Sequence, residues 1–219
     1  MNAFKSKKQA PLYLSNNWLN KFVEPTIKEI QIIGLGGAGC NISAYLHKKG
    51  FKATYSCLSN AERTDLPPKF LFIEHHLFSK EKRNLLNFMQ IKWDEEGTKP
   101  DLDTTIPNQI EKILNKNARF ILLVGLGHLT GSYLVKQFSD FLKENKKEFA
   151  VVCTSPFAFE QETTHELSNR IKEELEKLPN FYCFSNENIQ EKYGNMGMSK
   201  AFEMGNEEVW NICQNLFSS

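Results

Sequence analysis

Six short apolar runs, separated by stretches with helical spacing, constrain the fold more than any other feature of this sequence. Several of the runs are apolar at successive positions, which is typical of strands that are covered on both faces of a sheet. The runs lie at residues 29–34, 53–58, 70–74, 119–125, 149–154 and 181–185, and the clearest helical patterns lie at 106–114, 132–145 and 162–178. This alternation predicts an α/β fold with a doubly wound, mainly parallel, Rossmann-like sheet, in which ligands bind at the carboxyl ends of the strands.

The domain organisation predicted from this pattern is an N-terminal extension over residues 1–28 and a single domain over residues 29–219. Part of the extension is expected to pack as a short helix on the sheet through Leu12, Leu14, Trp18, Leu19 and Phe22. Residues 79–101 are predicted to form a polar excursion without chemistry of its own. The helix at 162–178 is predicted to begin with a capping box of Thr163 and Glu166 and to stop at Pro179.

Composition excludes several classes of protein. A formal net charge of +1 over 219 residues argues against a broad nucleic-acid footprint, which needs a clear basic excess. The longest apolar run, at residues 120–127, is far below the roughly 20 residues of a membrane-spanning helix. Five widely spaced cysteines without a C-x-x-C motif predict free structural thiols in a reducing compartment. We therefore expect a soluble, cytoplasmic protein with no nucleic-acid partner, no membrane partner and no metal site.

The first glycine-rich loop, GLGGAGCN at residues 34–41, directly follows an apolar strand and is predicted to open a helix near Gly39. Glycines let backbone amides approach phosphate oxygens, and the start of a helix attracts anions. The spacing of Gly34, Gly36 and Gly39 fits the dinucleotide pattern G-x-G-x-x-G. That interpretation also needs an acidic residue at the end of the second strand. Ser59 and Asn60 stand there instead, which counts against a nicotinamide or flavin dinucleotide.

Two further loops follow strands. In VGLGHLTGS, residues 124–132, Thr130 and Ser132 offer hydroxyls and amides for a phosphate, and His128 is a candidate phosphate contact. In TSPFAFE, residues 154–160, Pro156 fixes the turn and Glu160 is expected to be free to accept hydrogen bonds from a sugar.

These three loops, in this order, resemble those of the tubulin and FtsZ family of GTPases, and most closely the bacterial FtsZ branch. The resemblance runs from about Ile30 to the C-terminus and is weak from about 60 to 105. The first loop is similar to the family motif GVGGGGxN, which places Asn41 on a guanine-contacting Asn. The segment PFAFE is similar to PFxFEG, whose Glu contacts the ribose. In MSKAFEMGNEEVW, residues 198–210, Phe202 would stack on the base and Asn206 (or Glu207) would read its edge.

The resemblance implies a guanine nucleotide, GTP or GDP, as the ligand, with Mg²⁺ possible alongside GTP. The predicted nucleotide-binding residues are Gly34, Gly36, Gly37, Ala38, Gly39, Asn41, Gly127, His128, Thr130, Gly131, Ser132, Pro156, Glu160, Asn186, Phe202 and Asn206. No catalytic residue is predicted.

Two departures from the family limit what the resemblance implies. The family's second phosphate loop reads GGGTGTG, and His128, Leu129 and Tyr133 add bulk where backbone should approach phosphate. Since the sequence stops at Ser219, before the family's second domain and its catalytic loop, little intrinsic hydrolysis is expected. An FtsZ or FtsZ-like partner subunit, or self-association, would then cover the pocket face. The alternatives are a degenerate FtsZ-like interaction module that no longer binds nucleotide and a dinucleotide-binding Rossmann protein.

Overall fold

The computed structural model of the chain describes residues 28–78, 103, 105–194 and 196–216, without the side chains of residues 190 and 191. The expectations for the N-terminal extension before residue 28 and for the excursion at 79–101 therefore lie outside the described residues.

A parallel sheet forms the centre of the molecule. Among the described residues the strands are β1 (Ile30–Leu35), β2 (Thr54–Ser59), β3 (Leu71–Glu74), β4 (Arg119–Gly125), β5 (Glu148–Ser155) and β6 (Phe181–Ser185). The helices are α1 (Gly36–Lys48), α2 (Asn108–Leu114), α3 (Leu129–Glu144), α4 (Glu162–Leu175), α5 (Glu187–Tyr193) and α6 (Met198–Asn215). The strand order is β3-β2-β1-β4-β5-β6, and every pairing is parallel. The predicted α/β fold and its six strands are confirmed.

Helices cover both faces of the sheet, which explains why the central strands are apolar at successive positions. Ile33 and Leu35 of β1 belong to a buried cluster with Leu134 and Phe138 of α3, which also includes residues of α2 and α4. Ile32, the residue before Ile33, belongs to a second cluster with residues of α1 and α6. Successive residues of one strand thus reach two separate cores, because side chains alternate across a strand.

The predicted starts of α1 and α3, the predicted cap of α4 and its predicted end are wrong. Helix α1 begins at Gly36 rather than near Gly39, and α3 begins at Leu129 rather than at residue 132. The predicted capping box of α4 does not form: Gln161 is the N-cap, it makes no side-chain cap hydrogen bond, and Thr163 lies within the helix. The turn before the helix is held by Glu160, which accepts a hydrogen bond from the amide of Phe157. Helix α4 also ends at Leu175, before Pro179.

All five cysteines are free thiols, as the sequence predicted; four are buried and Cys183 is half-buried. Cys153 and Cys183 are register partners on β5 and β6. Hydrogen bonding to Cys153 lowers the pKa of Cys183 to about 7, whereas burial raises the pKa of Cys153. No helix in the described part of the chain is long and apolar enough to cross a bilayer.

Candidate functional site

A cavity of about 320 Å³ lies at the carboxyl ends of the parallel strands, where ligands of open α/β sheets bind. It brings together segments that are far apart in the sequence: the first glycine loop, the ends of β4 and β5, the start of α5, and α6. The lining residues are Ala38, Asn41, Ile42, Gly125, Leu126, His128, Thr154, Ser155, Pro156, Phe157, Phe159, Glu160, Asn186, Met198, Phe202, Gly205 and Asn206. Half of the predicted nucleotide-binding residues are among them: Ala38, Asn41, His128, Pro156, Glu160, Asn186, Phe202 and Asn206.

None of the four predicted glycines of the first loop lines the cavity, and two of them, Gly34 and Gly39, are packed tightly within the protein. A Cβ added to Gly39 would lie 2.2 Å from the carbonyl oxygen of Leu123, and one added to Gly34 would lie 2.5 Å from Oγ of Ser43. The Ser43 hydroxyl donates a hydrogen bond of 2.8 Å to the carbonyl of Gly39. These two glycines therefore serve the close packing of α1 on the sheet.

Gly36 and Gly37 stand in different surroundings. Gly36 has a φ of +72°, and its Cβ would lie 3.0 Å from the amide nitrogen of Gly131, so the two glycine loops contact each other there. Gly37 is exposed, and a Cβ added to it would meet nothing within 4 Å. Of the first-loop glycines, Gly37 is thus the one with open space beside its backbone.

Ala38 replaces a glycine of the family motif, and its methyl group is accommodated by another glycine. A Cβ added to Gly125, at the end of β4, would lie only 2.6 Å from the Cβ of Ala38. Both residues line the cavity. The methyl group at position 38 therefore depends on the absence of a side chain at position 125.

The second glycine loop is closed by its own residues. Gly127 has a φ of +96°, and its amide donates a hydrogen bond of 3.0 Å to the buried Ser132 hydroxyl. Thr130 and Gly131 are also buried, and none of these four predicted residues lines the cavity. The Ser132 hydroxyl thus stabilises the loop in this conformation and is not presented to a ligand.

The expected bulk at positions 129 and 133 lies outside the cavity lining. Leu129 and Tyr133 pack against the cluster that contains Phe138, and the Tyr133 hydroxyl accepts a hydrogen bond of 3.2 Å from Arg170. These two side chains therefore do not crowd the cavity. His128 alone of the three lies at the cavity, with its side chain 72% exposed.

The sequence suggested that the Glu160 carboxylate is free, but both of its oxygens have partners. Its Oε1 accepts a hydrogen bond of 2.8 Å from the amide of Phe157, and its Oε2 lies 3.4 Å from Nε2 of His128. The carboxylate thus holds the turn after β5 and links it to the second glycine loop. A ligand hydroxyl would share these oxygens rather than find them unoccupied.

Aromatic rings form the mouth of the cavity. Phe157 is buried, and its ring centroid lies 5.2 Å from that of Phe159 and 5.2 Å from that of Phe202. Phe159 is 65% exposed and Phe202 is 52% exposed. Phe202 is therefore not an ordinary core residue of α6, and its ring is accessible for stacking.

Of the two α6 residues considered for reading a base, only Asn206 lines the cavity. The Glu207 carboxylate accepts a hydrogen bond from the Tyr45 hydroxyl and lies 3.0 Å from Nζ of Lys49. Burial and this hydrogen bond raise the pKa of Tyr45 to about 12. Glu207 therefore ties α6 to α1 and is not presented to a ligand.

Arg63, in the loop after β2, is a residue that the sequence interpretation missed. Its side chain is only 13% exposed. It pairs with both carboxylate oxygens of Asp65 and also donates hydrogen bonds to the first glycine loop and to Asn41. No local motif marks it, because its partners Gly37 and Asn41 lie more than twenty residues earlier in the chain.

Comparison with known proteins identifies the fold through structure alone. No family model matches the sequence, and no curated protein matches it. Among solved structures, the chain is similar to an empty FtsZ dimer from M. jannaschii, with 18% identity and a TM-score of 0.66 over 90% of this chain and 57% of that one. It is also similar to CetZ from Methanosaeta thermophila strain DSM 6194, with 13% identity and a TM-score of 0.60 over 88% of this chain and 56% of that one. A third similar structure is a GTPγS-bound protofilament of CetZ2 from Haloferax volcanii, with 16% identity and a TM-score of 0.57 over 84% of this chain and 56% of that one.

The protein is thus an α/β protein with a Rossmann-like parallel sheet. More particularly, its fold is that of the nucleotide-binding domain of tubulin and FtsZ proteins. The chain spans somewhat more than half the length of these structures.

Proposed function

We propose that this chain binds a guanine nucleotide, GDP or GTP, in the cavity at the carboxyl ends of the strands. The observation that carries the proposal is the convergence of residues selected from separate segments of the sequence. Asn41, Glu160, Asn186 and Phe202 come from four different elements or loops and line one cavity. Residues with unrelated structural roles would not be expected to meet in this way.

The cavity suits a nucleotide in both size and chemistry. Its volume of about 320 Å³ is at the lower end of the range for small-molecule sites, and its mouth is open beside Phe202. In the proposed pose the base stacks on Phe202, the amides of Asn41 and Asn206 meet its polar edge, and the ribose lies by Asn186 and Glu160. The phosphates extend toward Gly37 and the start of α1, where backbone amides favour an anion.

We further propose that hydrolysis by this domain is weak. Glu160 is the one carboxylate among the described lining residues, and its oxygens are bonded to the Phe157 amide and paired with His128. The described residues also contain no group of three His, Cys, Asp or Glu side chains that could hold a metal. Mg²⁺, if it accompanies GTP, would be held mainly by phosphate oxygens and water.

Isothermal titration with GDP, GTP and ADP tests the binding proposal, with Phe202→Ala as the informative variant. Loss of base stacking is typically worth ~1–3 kcal/mol, so the affinity for GDP should fall about tenfold. Tyr182→Ala is the matched control, because Tyr182 is an exposed aromatic residue on β6 that does not line the cavity. If folded protein gives no heat of binding with GDP and none with GTP, the proposal is contradicted.

The partner that we propose is an FtsZ-like subunit or a second copy of this chain, in the cytoplasm, contacting the face that carries the cavity. Solved neighbours include an FtsZ dimer and a CetZ2 protofilament. Sedimentation velocity with and without GTP tests self-association.

One observation favours a second candidate, an interaction module that no longer binds nucleotide. The hydroxyl of Ser132 is bonded within the second loop, and Thr130 is buried outside the cavity lining, so this loop offers a ligand less than the family motif does. Titration distinguishes the two candidates: this module would bind its protein partner without responding to GDP or GTP.

A further inference from the structure

Arg63 makes more contacts than a surface ion pair requires. Its Nε and Nη2 donate to the two carboxylate oxygens of Asp65, at 2.7 and 2.6 Å. Its Nη1 also donates to the carbonyl of Gly37 at 3.1 Å, and its Nη2 to Oδ1 of Asn41 at 2.6 Å. The guanidinium is therefore held by Asp65 against the start of α1, where two of its partners belong to the candidate site.

The chemistry of the guanidinium fixes the orientation of the Asn41 amide. A guanidinium has five N–H donors and no acceptor, so the Asn41 atom that contacts it must be the oxygen. Arg63 occupies one of the two lone pairs of that oxygen, and the part of the Asn41 amide that does not contact Arg63 is its NH₂, which is a donor only. Without Arg63, the amide would be able to turn either its oxygen or its nitrogen to the cavity.

The contact with Gly37 has a parallel effect on the backbone. The peptide bond between Gly37 and Ala38 is trans and planar, so its C=O and its N–H point in opposite directions. When Arg63 holds the Gly37 carbonyl, the orientation of the Ala38 amide is fixed as well. Ala38 lines the cavity.

We propose that Arg63 is a positioning residue that makes Asn41 a hydrogen-bond donor toward the nucleotide. The inference rests on the proposed function and adds a specificity rule to it. The nucleotide atom that meets Asn41 is an acceptor, such as a carbonyl oxygen, a ring nitrogen or a ribose oxygen. Asn41 does not bind the 2-amino group of guanine, which is a donor.

A comparison of GDP with IDP, which lacks the 2-amino group, tests this rule. In Asn41→Ala the affinities for both nucleotides should fall by the same factor, about tenfold, and the ratio of the two dissociation constants should stay at its wild-type value. A change in that ratio would mean that Asn41 accepts from the 2-amino group and would overturn the proposal. Unchanged affinities would overturn it too.

The role of Arg63 is tested through its dependence on Asn41. Arg63→Ala should weaken GDP binding about threefold or more in the wild-type background and clearly less in the Asn41→Ala background. Equal effects in the two backgrounds would contradict positioning through Asn41. Arg170→Ala is the matched control, since Arg170 hydrogen-bonds Tyr133 away from the cavity lining and its removal should leave GDP affinity unchanged.

A double-mutant cycle on the nucleotide-free protein separates this inference from the proposed function. If Arg63 holds Asn41, the effects of Arg63→Ala and Asn41→Ala on the unfolding equilibrium should not add, and the coupling should be about threefold or more in the equilibrium constant. Additive effects would overturn the inference whether or not nucleotide binds. Failure of the wild-type chain to bind GDP, GTP or IDP overturns the proposed function, while this cycle still decides whether Arg63 holds Asn41.

Discussion

The glycines of the first loop are subject to different physical constraints. Gly39 touches the backbone of β4, Gly36 has a left-handed φ beside Gly131, and Gly37 faces open space. The residue type alone does not separate the packing glycines from one that leaves room for a ligand. What separates them is the space around each missing Cβ.

These differences predict opposite results for two alanine substitutions. Gly39→Ala should lower the free energy of unfolding by about 1–3 kcal/mol or more, because its Cβ would overlap the Leu123 carbonyl. Gly37→Ala should raise it by about 0.5 kcal/mol, since alanine is a better helix former than glycine. Urea denaturation measures both values.

The same pair of variants also tests the site. The methyl group of Gly37→Ala would occupy the open space beside the loop, so GDP affinity should fall about tenfold although the protein is no less stable. Normal GDP affinity in Gly37→Ala would show that phosphate does not approach this residue.

At the scale of elements, β1 contains a buried polar residue, Gln31, without a hydrogen-bond partner in the described part of the chain. Gln31 is fully buried, and neither its Oε1 nor its Nε2 has a hydrogen-bond partner among the described residues. It pairs with Thr54 of β2 and Phe120 of β4 in the middle of the sheet. A buried polar group without a partner costs about 1–3 kcal/mol.

Gln31→Met should therefore stabilise the protein, because methionine has a similar shape without the amide. We expect the free energy of unfolding to rise by about 1–2 kcal/mol. The matched control is Gln137→Met on the exposed face of α3, which should change it by less than about 0.5 kcal/mol. Chemical denaturation of both variants measures the difference, and a destabilised Gln31→Met would indicate that the amide has a partner after all.

The elements themselves were largely predictable, whereas some helix starts and caps were not. The six apolar runs identified all six strands, and several of them are apolar at successive positions because the central strands are buried on both faces. The pattern of α4 was predicted to begin at residue 162, where the helix does begin, but its cap was mispredicted, because Thr163 looked like a cap only from its local sequence. The start of α3 depends on the bond between the Gly127 amide and the Ser132 hydroxyl.

At the scale of the whole molecule, the fold assembles the site from distant segments. Parallel strands place the ends of β1, β4 and β5 at one edge, so loops that are similar to known motifs could be expected to meet there. Arg63 could not be selected in this way, since its contacts with Gly37 and Asn41 exist only in the folded chain. The sequence also could not show that the hydroxyl of Ser132 is bonded internally.

Three of the five large hydrophobic residues that are exposed in the described part of the chain lie at the face that carries the cavity. Phe159 is 65% exposed, Phe202 52% and Met198 48%, and a second cavity of about 820 Å³ adjoins the first through Phe159 and Met198. Exposed apolar surface of this kind is common at protein interfaces. If a second copy covers this face, the contact either joins the same face of both copies, as in a closed dimer, or joins unlike surfaces, head to tail, as in a filament.

Phe159→Asp should then abolish self-association without unfolding the protein. Because Phe159 is largely exposed, its loss should change the free energy of unfolding by little, about 0.5 kcal/mol. A charged residue at the centre of the contact would be buried there without a partner and would prevent binding. Sedimentation velocity in the presence of GTP measures association, with Tyr182→Asp on β6 as the control that should leave it intact. If the wild-type chain stays monomeric at every concentration, the FtsZ-like subunit is left as the proposed partner. If Phe159→Asp and Tyr182→Asp associate equally well, the contact lies elsewhere on the protein.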